Sequence, residues 1–264
     1  MKRIIVALAV AATTVIMTPA SAEAGPYPAG YETTVRLYNH TIYRPATIPA
    51  GVTVPVVVWG NGACRADGTW FENILTEFAS HGFLVIANGR PGGTGSTDAD
   101  MLTDAIDWAV AENGRVGSKY RGKIDTAKVA VMGQSCGGIE AVEASDDPRV
   151  DTSVFWNSGL LSDLENYRLA RLRGPVAYFT GGPDDIAYPN AVDDYGRLPG
   201  GTAALLAHLP VGHYGTFAQP AGGEYGRVGS AWLKWQLKGD QAARATILGL
   251  GNDTQWTVTS TNLG

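Results

Sequence analysis

Gly133-Gln134-Ser135-Cys136-Gly137-Gly138 is the segment of this chain best suited to do chemistry, and it follows directly on the apolar run Val129-Ala130-Val131-Met132. A serine in a sharp strand-to-helix turn exposes its hydroxyl, and glycines two before and two after let the strand and helix backbones approach closely. Gly133 and Gly137 supply that clearance. A hydroxyl is a poor nucleophile near neutral pH, so Ser135 needs a base that takes its proton during attack and returns it to the leaving group. Four histidines are available. His40 falls in an expected hairpin turn, His81 just before a strand and His208 in or at the end of one, which gives all three structural readings. His213, in Val211-Gly212-His213-Tyr214, follows the last apolar strand and is the expected base.

A carboxylate must fix the imidazole tautomer and stabilise its cation, and where a strand–elbow–helix carries the serine the chain order is serine, acid, histidine. The apolar run 176–180 leads straight into Gly181-Gly182-Pro183-Asp184-Asp185. Asp184 is the favoured acid, with its neighbour Asp185 as the alternative; Asp163, Asp193 and Asp194 are read as helix caps or solvent-facing groups. An oxyanion formed during attack needs two backbone amides. One is assigned to Cys136, at the start of the helix whose positive dipole end faces the reacting centre. The other is assigned to Asn61, or alternatively to Gly62, in Trp59-Gly60-Asn61-Gly62-Ala63-Cys64.

These residues need a frame. Apolar runs at 54–59, 83–87, 129–133, 153–157, 176–180 and 203–209 have strand length and lack polar alternation, as buried strands of a parallel sheet do. Between them, Trp70, Phe71, Ile74, Leu75 and Phe78 recur at helical spacing before Gly82, and Met101, Leu102, Ala105, Ile106, Ala109 and Val110 before Gly114. Residues 32–44 read as an antiparallel hairpin turning at Asn39-His40, and Trp232, Leu233, Trp235 and Leu237 as a last helix before the tail. The expected architecture is α/β: a doubly wound, mostly parallel sheet with an N-terminal antiparallel hairpin, whose loops at the strand C-termini carry the site.

The chain has 264 residues, enough for one such domain. Lys2 and Arg3, an apolar stretch over 4–17 and Ala20-Ser21-Ala22 form the three regions of a secretory signal peptide. A stretch of about 14 residues is too short to span a bilayer, so the expectation is cleavage near Ala22, secretion, and a single domain over 23–264 without a stable membrane anchor. Removing Lys2 and Arg3 leaves 18 basic against 25 acidic side chains, and no basic run offers nucleic acid a footprint. Gly92-Gly93-Thr94-Gly95 lacks the Lys-Ser/Thr of a phosphate-binding loop and reads as a turn. The scattered histidines offer no metal-ligand spacing, and the expected chemistry needs no metal or organic cofactor.

Taken together, Gly-Gln-Ser-Cys-Gly-Gly around Ser135, Gly181-Gly-Pro-Asp184-Asp-Ile-Ala, Gly212-His213 and Ser80-His-Gly-Phe-Leu-Val-Ile-Ala-Asn-Gly-Arg resemble the α/β-hydrolase superfamily, in particular its secreted chlorophyllase-like and cutinase-like esterases, polyester hydrolases among them. The resemblance covers nearly the whole mature chain. In the family's acid motif one residue separates the aspartate from Ile-Ala, which supports Asp184 over Asp185. It implies a secreted serine esterase, acting on small or polymeric carboxylic esters through an acyl-serine. Two departures stand out: Gly60-Asn61-Gly62 replaces an aromatic beside the first oxyanion amide, and Cys136 stands where Met is common. A thioesterase or acyltransferase would use the same parts, and a binding protein with a decayed site is the alternative from another class.

Three further expectations follow. About 18 residues separate the runs ending at Asn157 and starting at Val176, room for a loop and a short helix over 163–171 but no cap domain, so the cleft should be open. The protein is separately expected to be a monomer. Trp156 and Tyr188, near strand-to-helix loops on the catalytic side, are candidate aromatic walls for substrate. Cys64 and Cys136, the only cysteines, close the two segments that supply the oxyanion amides, so a disulfide between them is expected.

Overall fold

Val54–Gly60 is buried at every position, because its alternate side chains enter two different cores. Val57 and Trp59 face one core and Val56 and Val58 the other, as the two-residue period of a strand with both faces covered requires. The computed structural model describes residues 24–264; the expected signal peptide over 1–22 lies outside the described residues. Nine strands form one sheet: β1 (Ala29–Thr34), β2 (Leu37–Pro45), β3 (Val54–Gly60), β4 (Leu84–Asn88), β5 (Ile124–Gln134), β6 (Thr152–Trp156), β7 (Val176–Thr180), β8 (Ala204–His208) and β9 (Thr257–Thr261). Their order is β1-β2-β4-β3-β5-β6-β7-β8-β9, parallel from β4 to β8 and antiparallel at both edges.

Six helices cover the two faces: α1 (Glu72–Ser80), α2 (Ala99–Gly114), α3 (Cys136–Ala144), α4 (Tyr188–Arg197), α5 (Gly223–Lys238) and α6 (Gln241–Leu248). Ile74, Leu75 and Phe78 of α1 and Trp232, Leu233 and Leu237 of α5 fill one core, while Leu102, Ala105 and Ile106 of α2 and Ala141 and Val142 of α3 fill the other. The loops after β3, β5, β7 and β8 therefore open on one sheet edge, where parallel-sheet proteins hold their sites. The β6–β7 connection contains only a 3-10 helix, Asp163–Arg171, and no cap domain. Among the described residues, no helix is long and apolar enough to cross a membrane.

Two features differ from the sequence reading. The hairpin turns at Val35-Arg36, where Thr34 pairs with Leu37, and not at Asn39-His40. Asn39-His40 stays in β2 because that strand pairs on both sides: His40 faces Asn88 across β4, and its ring nitrogen Nε2 meets the Met101 carbonyl at 2.8 Å. Beyond the expected last helix, the tail holds α6, capped by Asp240 accepting the amides of Ala242 and Ala243, and the edge strand β9 on β8.

Candidate active site

Ser135 sits at φ 52°, ψ −120°, a conformation that non-glycine residues rarely adopt, at the join of β5 and α3. The join is as tight as the glycine spacing implied. A Cβ on Gly133 would lie 2.0 Å from the Gly137 carbonyl oxygen, and one on Gly137 would lie 2.1 Å from the Gly60 carbonyl carbon at the end of β3. Hydrogen bonds from the Ser135 amide to Trp156 O (3.0 Å) and from Ser158 Oγ to Ser135 O (2.7 Å) hold the turn.

His213 follows β8 in a loop tied to the β7 loop by the amides of Val211 and Gly212, which both donate to Gly181 O. Its Nε2 lies 3.0 Å from Ser135 Oγ and its Nδ1 2.6 Å from Asp185 Oδ1. A carboxylate accepts only, so Nδ1 carries the proton and Nε2 is free to accept from the serine.

The carboxylate at the histidine is thus Asp185, which corrects the expectation for Asp184. The turn closed by the Asp185 amide on Gly182 O (2.9 Å) leaves Asp184 exposed and folds Asp185 back under the loop. There, Asp185 Oδ2 accepts from Asn157 Nδ2 (2.8 Å) and the Gly181 amide (3.0 Å), and Oδ1 from the Ala187 amide (3.0 Å) as well as His213. Burial pushes this carboxyl up, but the hydrogen bonds from His213, Gly181, Ala187 and Asn157 outweigh it and hold the group below its ordinary range. In this chain Ile-Ala therefore directly follows the aspartate that meets the histidine. Asp163 and Asp193 pair with Arg197, as surface acids do, whereas Asp194 is buried and accepts the Leu160 amide at 2.9 Å.

Cys64 and Cys136 form a disulfide with Cα atoms 5.2 Å apart. It joins the segment after β3 to the residue after Ser135. Asn61 is fully buried, and its side-chain Nδ2 donates to the carbonyls of Arg65, Asp67 and Asn88. Gly62 borders the cleft beside Gln134, whose Oε1 occupies the space that a side chain on Gly62 would need. Cys136 is the first residue of α3, where a helix amide has no intrahelical acceptor.

A cleft of about 400 Å³ opens at Ser135 and His213, walled by Trp70, Phe71, Ile186, Tyr214 and Phe217. The two expected aromatic walls are elsewhere. Trp156 is fully buried, stacked on Phe179 at 4.6 Å and packed behind Phe217, because its place in β6 points it into the core under α5. Tyr188 begins α4 and packs on His208. Trp70 and Tyr214 take their place, 44% and 84% exposed. Trp70, which the sequence periodicity placed in that helix, precedes the first turn of α1 and stays half exposed, and Tyr214 adjoins the histidine. Asn157, which holds Asp185, and Gln134, whose Nε2 donates to His213 O at 3.2 Å, are two polar residues the sequence reading did not single out. Position was the available signal, since Gln134 ends β5 beside the serine and Asn157 directly follows β6. The remaining histidines are engaged structurally, His81 with Glu77 at 2.8 Å and His40 as described.

No curated protein matches the chain. Residues 14–260 match the family model described as PETase, PET hydrolase-like. That match takes in Ser135, Asp185, His213 and nearly the whole sheet, and the chain accordingly belongs to the PET hydrolase-like family of α/β ester hydrolases.

Proposed function

We propose that this protein is a secreted serine esterase that hydrolyses carboxylic esters through an acyl-Ser135 intermediate. The observation that carries the reading is the continuous chain from Ser135 Oγ through the His213 ring to Asp185, at 3.0 and 2.6 Å, at the foot of an open apolar cleft. Ser135 Oγ attacks the ester carbonyl while Nε2 of His213 takes its proton, and Asp185 stabilises the resulting imidazolium. The carbonyl oxygen, now an oxyanion, receives hydrogen bonds from the Cys136 amide and from the Asn61-Gly62 segment. The tetrahedral intermediate collapses, and the alcohol leaves with the proton held by His213. Water, activated by the same base, then releases the acid and restores Ser135. These steps draw on no metal and no organic cofactor.

Trp70, Tyr214 and Ile186 give the cleft an apolar rim, and Ile186 at 79% exposure leaves it open to bulky or polymeric esters, in keeping with the family's description. The leader read at residues 1–22 and the disulfide both suit export, and the protein acts alone as a monomer. Treatment of the purified protein with a fluorophosphonate probe, followed by peptide mass analysis, tests the reading. Labelling at Ser135, hydrolysis of p-nitrophenyl esters and loss of both in Ser135→Ala are expected, the loss being on the order of 10⁶ in kcat. An unlabelled wild-type serine would overturn the mechanism, and transfer of the acyl group to added alcohol in preference to water would make the protein an acyltransferase.

A further inference from the structure

Glu140 is a carboxylate that the proposed reaction does not use. It lies on α3, one and a half turns after Ser135, and only 6% of its surface is exposed. Its Oε1 accepts from Thr97 Oγ1 at 2.6 Å and its Oε2 from Asn88 Nδ2 at 3.3 Å. Each partner leads to the loop that carries the second oxyanion amide. The Thr97 amide donates to Cys64 O at 2.8 Å, and its neighbours continue the contact: the Ala66 amide donates to Gly95 O, and Arg65 pairs with Ser96 as an isolated bridge. On the other side, the Asn88 carbonyl accepts from Asn61 Nδ2 at 2.6 Å. Two hydrogen-bonded paths thus run from the helix behind the nucleophile to both ends of the stretch 61–64.

That stretch needs an external hold. Ala63 and Cys64 both lie at positive φ, 53° and 46°, a conformation that side-chain-bearing residues keep only where the surroundings enforce it. The helix supplies the Cys136 amide and the stretch supplies the second amide, so their separation sets the fit to the oxyanion, where donors must fall about 2.7–3.1 Å from its position. The disulfide fixes that separation at Cys64 alone. Through Thr97 and Asn88, the bonds of Glu140 add holds on the Cys64 carbonyl and on the Asn61 side chain. Burial pushes the Glu140 carboxyl up to about 7 against the opposing hydrogen bonds from Thr97 and Asn88, so its presence here carries a cost that packing alone would not require.

We infer that Glu140 is a positioning residue for the oxyanion hole, acting through Thr97 and Asn88 to hold the 61–64 stretch against the nucleophile helix. The inference rests on the esterase reading, and two readouts separate its failure from the failure of that reading. Glu140→Met keeps the volume without the acceptors, Thr97→Val removes the donor at nearly constant shape, and Thr97→Ser restores it. Steady-state kinetics on a p-nitrophenyl ester should show kcat falling roughly tenfold or more in Glu140→Met and Thr97→Val, below the 10²–10³ for outright removal of an oxyanion donor, with KM within about threefold. Thr97→Ser should recover most of kcat. Amide hydrogen exchange over 61–64, which needs no turnover, should rise in the two impaired variants and return in Thr97→Ser. Folded Glu140→Met and Thr97→Val proteins with unaltered kcat and unaltered exchange would overturn the inference. So would a fall in kcat that Thr97→Ser does not reverse. If Glu140→Met does not fold, Thr97→Val against Thr97→Ser decides. Were wild-type Ser135 to resist the fluorophosphonate, the esterase reading would fail while exchange still decided whether Glu140 holds the loop.

Discussion

Replacing Asp185 by Asn should cost far more activity than the same change at Asp184, and the hydrogen-bond inventory gives the reason. Four donors converge on the Asp185 carboxylate, two at each oxygen. An asparagine has one acceptor oxygen, so whichever way its amide is turned, its NH₂ group meets two of those donors. With the oxygen kept towards His213, the NH₂ opposes the Asn157 amide and the Gly181 N–H. With the oxygen turned away, the NH₂ faces His213 Nδ1 and forces the proton to Nε2, where it confronts Ser135 and abolishes the base. In either state the imidazolium formed during attack loses its counter-charge. Loss of tautomer control in a serine triad costs about 10⁴ in kcat, or roughly 5.5 kcal/mol of barrier. Asp184 is exposed and touches none of these groups, so Asp184→Asn should stay within about threefold of wild type. Steady-state kinetics on a soluble p-nitrophenyl ester, with circular dichroism to check folding, measures both. A larger loss in Asp184→Asn than in Asp185→Asn would refute the assignment of the acid.

Reduction of Cys64–Cys136 should lower both stability and kcat: closing a 72-residue separation is worth about 4 kcal/mol in the chain-entropy model, and melting temperature and turnover with and without reductant would show whether both fall. Glu140 should make the fold less stable as pH rises. Its folded-state carboxyl is raised, so it keeps a proton that the unfolded chain has lost; the stability it allows is complete below about 4.5 and is lost as pH climbs through about 7, a change on the order of 2 kcal/mol after solvent screening. Urea unfolding at pH 5 and pH 8 should show a smaller difference for Glu140→Gln than for wild type, and equal differences would count against it. Trp70→Ala and Tyr214→Ala should each raise KM for aryl esters about two- to tenfold, the worth of one lost aromatic contact, with less effect on acetyl esters; equal effects on both substrates would remove these residues from the acyl-binding wall.

How much of this was legible beforehand depended on whether local chemistry or long-range geometry decided each feature. The elbow was legible because Gly133 and Gly137 are required by backbone contacts that any sequence must meet, 2.0 and 2.1 Å from where a side chain would begin. The parallel strands were legible because burial on both faces removes polar residues from them. Asp184 was favoured over Asp185 and the structure reverses the order, since both follow β7 and only the sense of the turn at Gly182 decides which one folds under the loop. Trp156 was misplaced for a related reason. In a strand apolar on both faces, alternation does not reveal which side is the cleft, and Trp156 proves to face the core with Phe179 and Tyr225. The turn expected at Asn39-His40 gave way to pairing on both edges of β2, a tertiary demand that outweighs local turn preference.

The same contrast explains why the 61–64 side of the site is built so differently from the His213–Asp185 side. His213 and Asp185 lie in loops after adjacent strands, β7 and β8, whose register already brings Gly181 and Gly212 into hydrogen-bonding contact, so short local bonds suffice to align them. The 61–64 stretch has no such help. It leaves β3 through two residues at positive φ and must meet a helix that begins after β5, a strand more than sixty residues further along the chain. A segment in that conformation relaxes unless the surrounding structure over-determines it. Here three separate ties reach it: the Cys64–Cys136 bond, the Asn61 side-chain amide donating to three carbonyls, and the Thr97 amide donating to Cys64 O while the Thr97 hydroxyl donates to Glu140. On the proposed mechanism, donors fixed before charge develops cost no reorganisation when it does, which is the physical advantage a disulfide and a buried carboxylate on four residues of loop would bring.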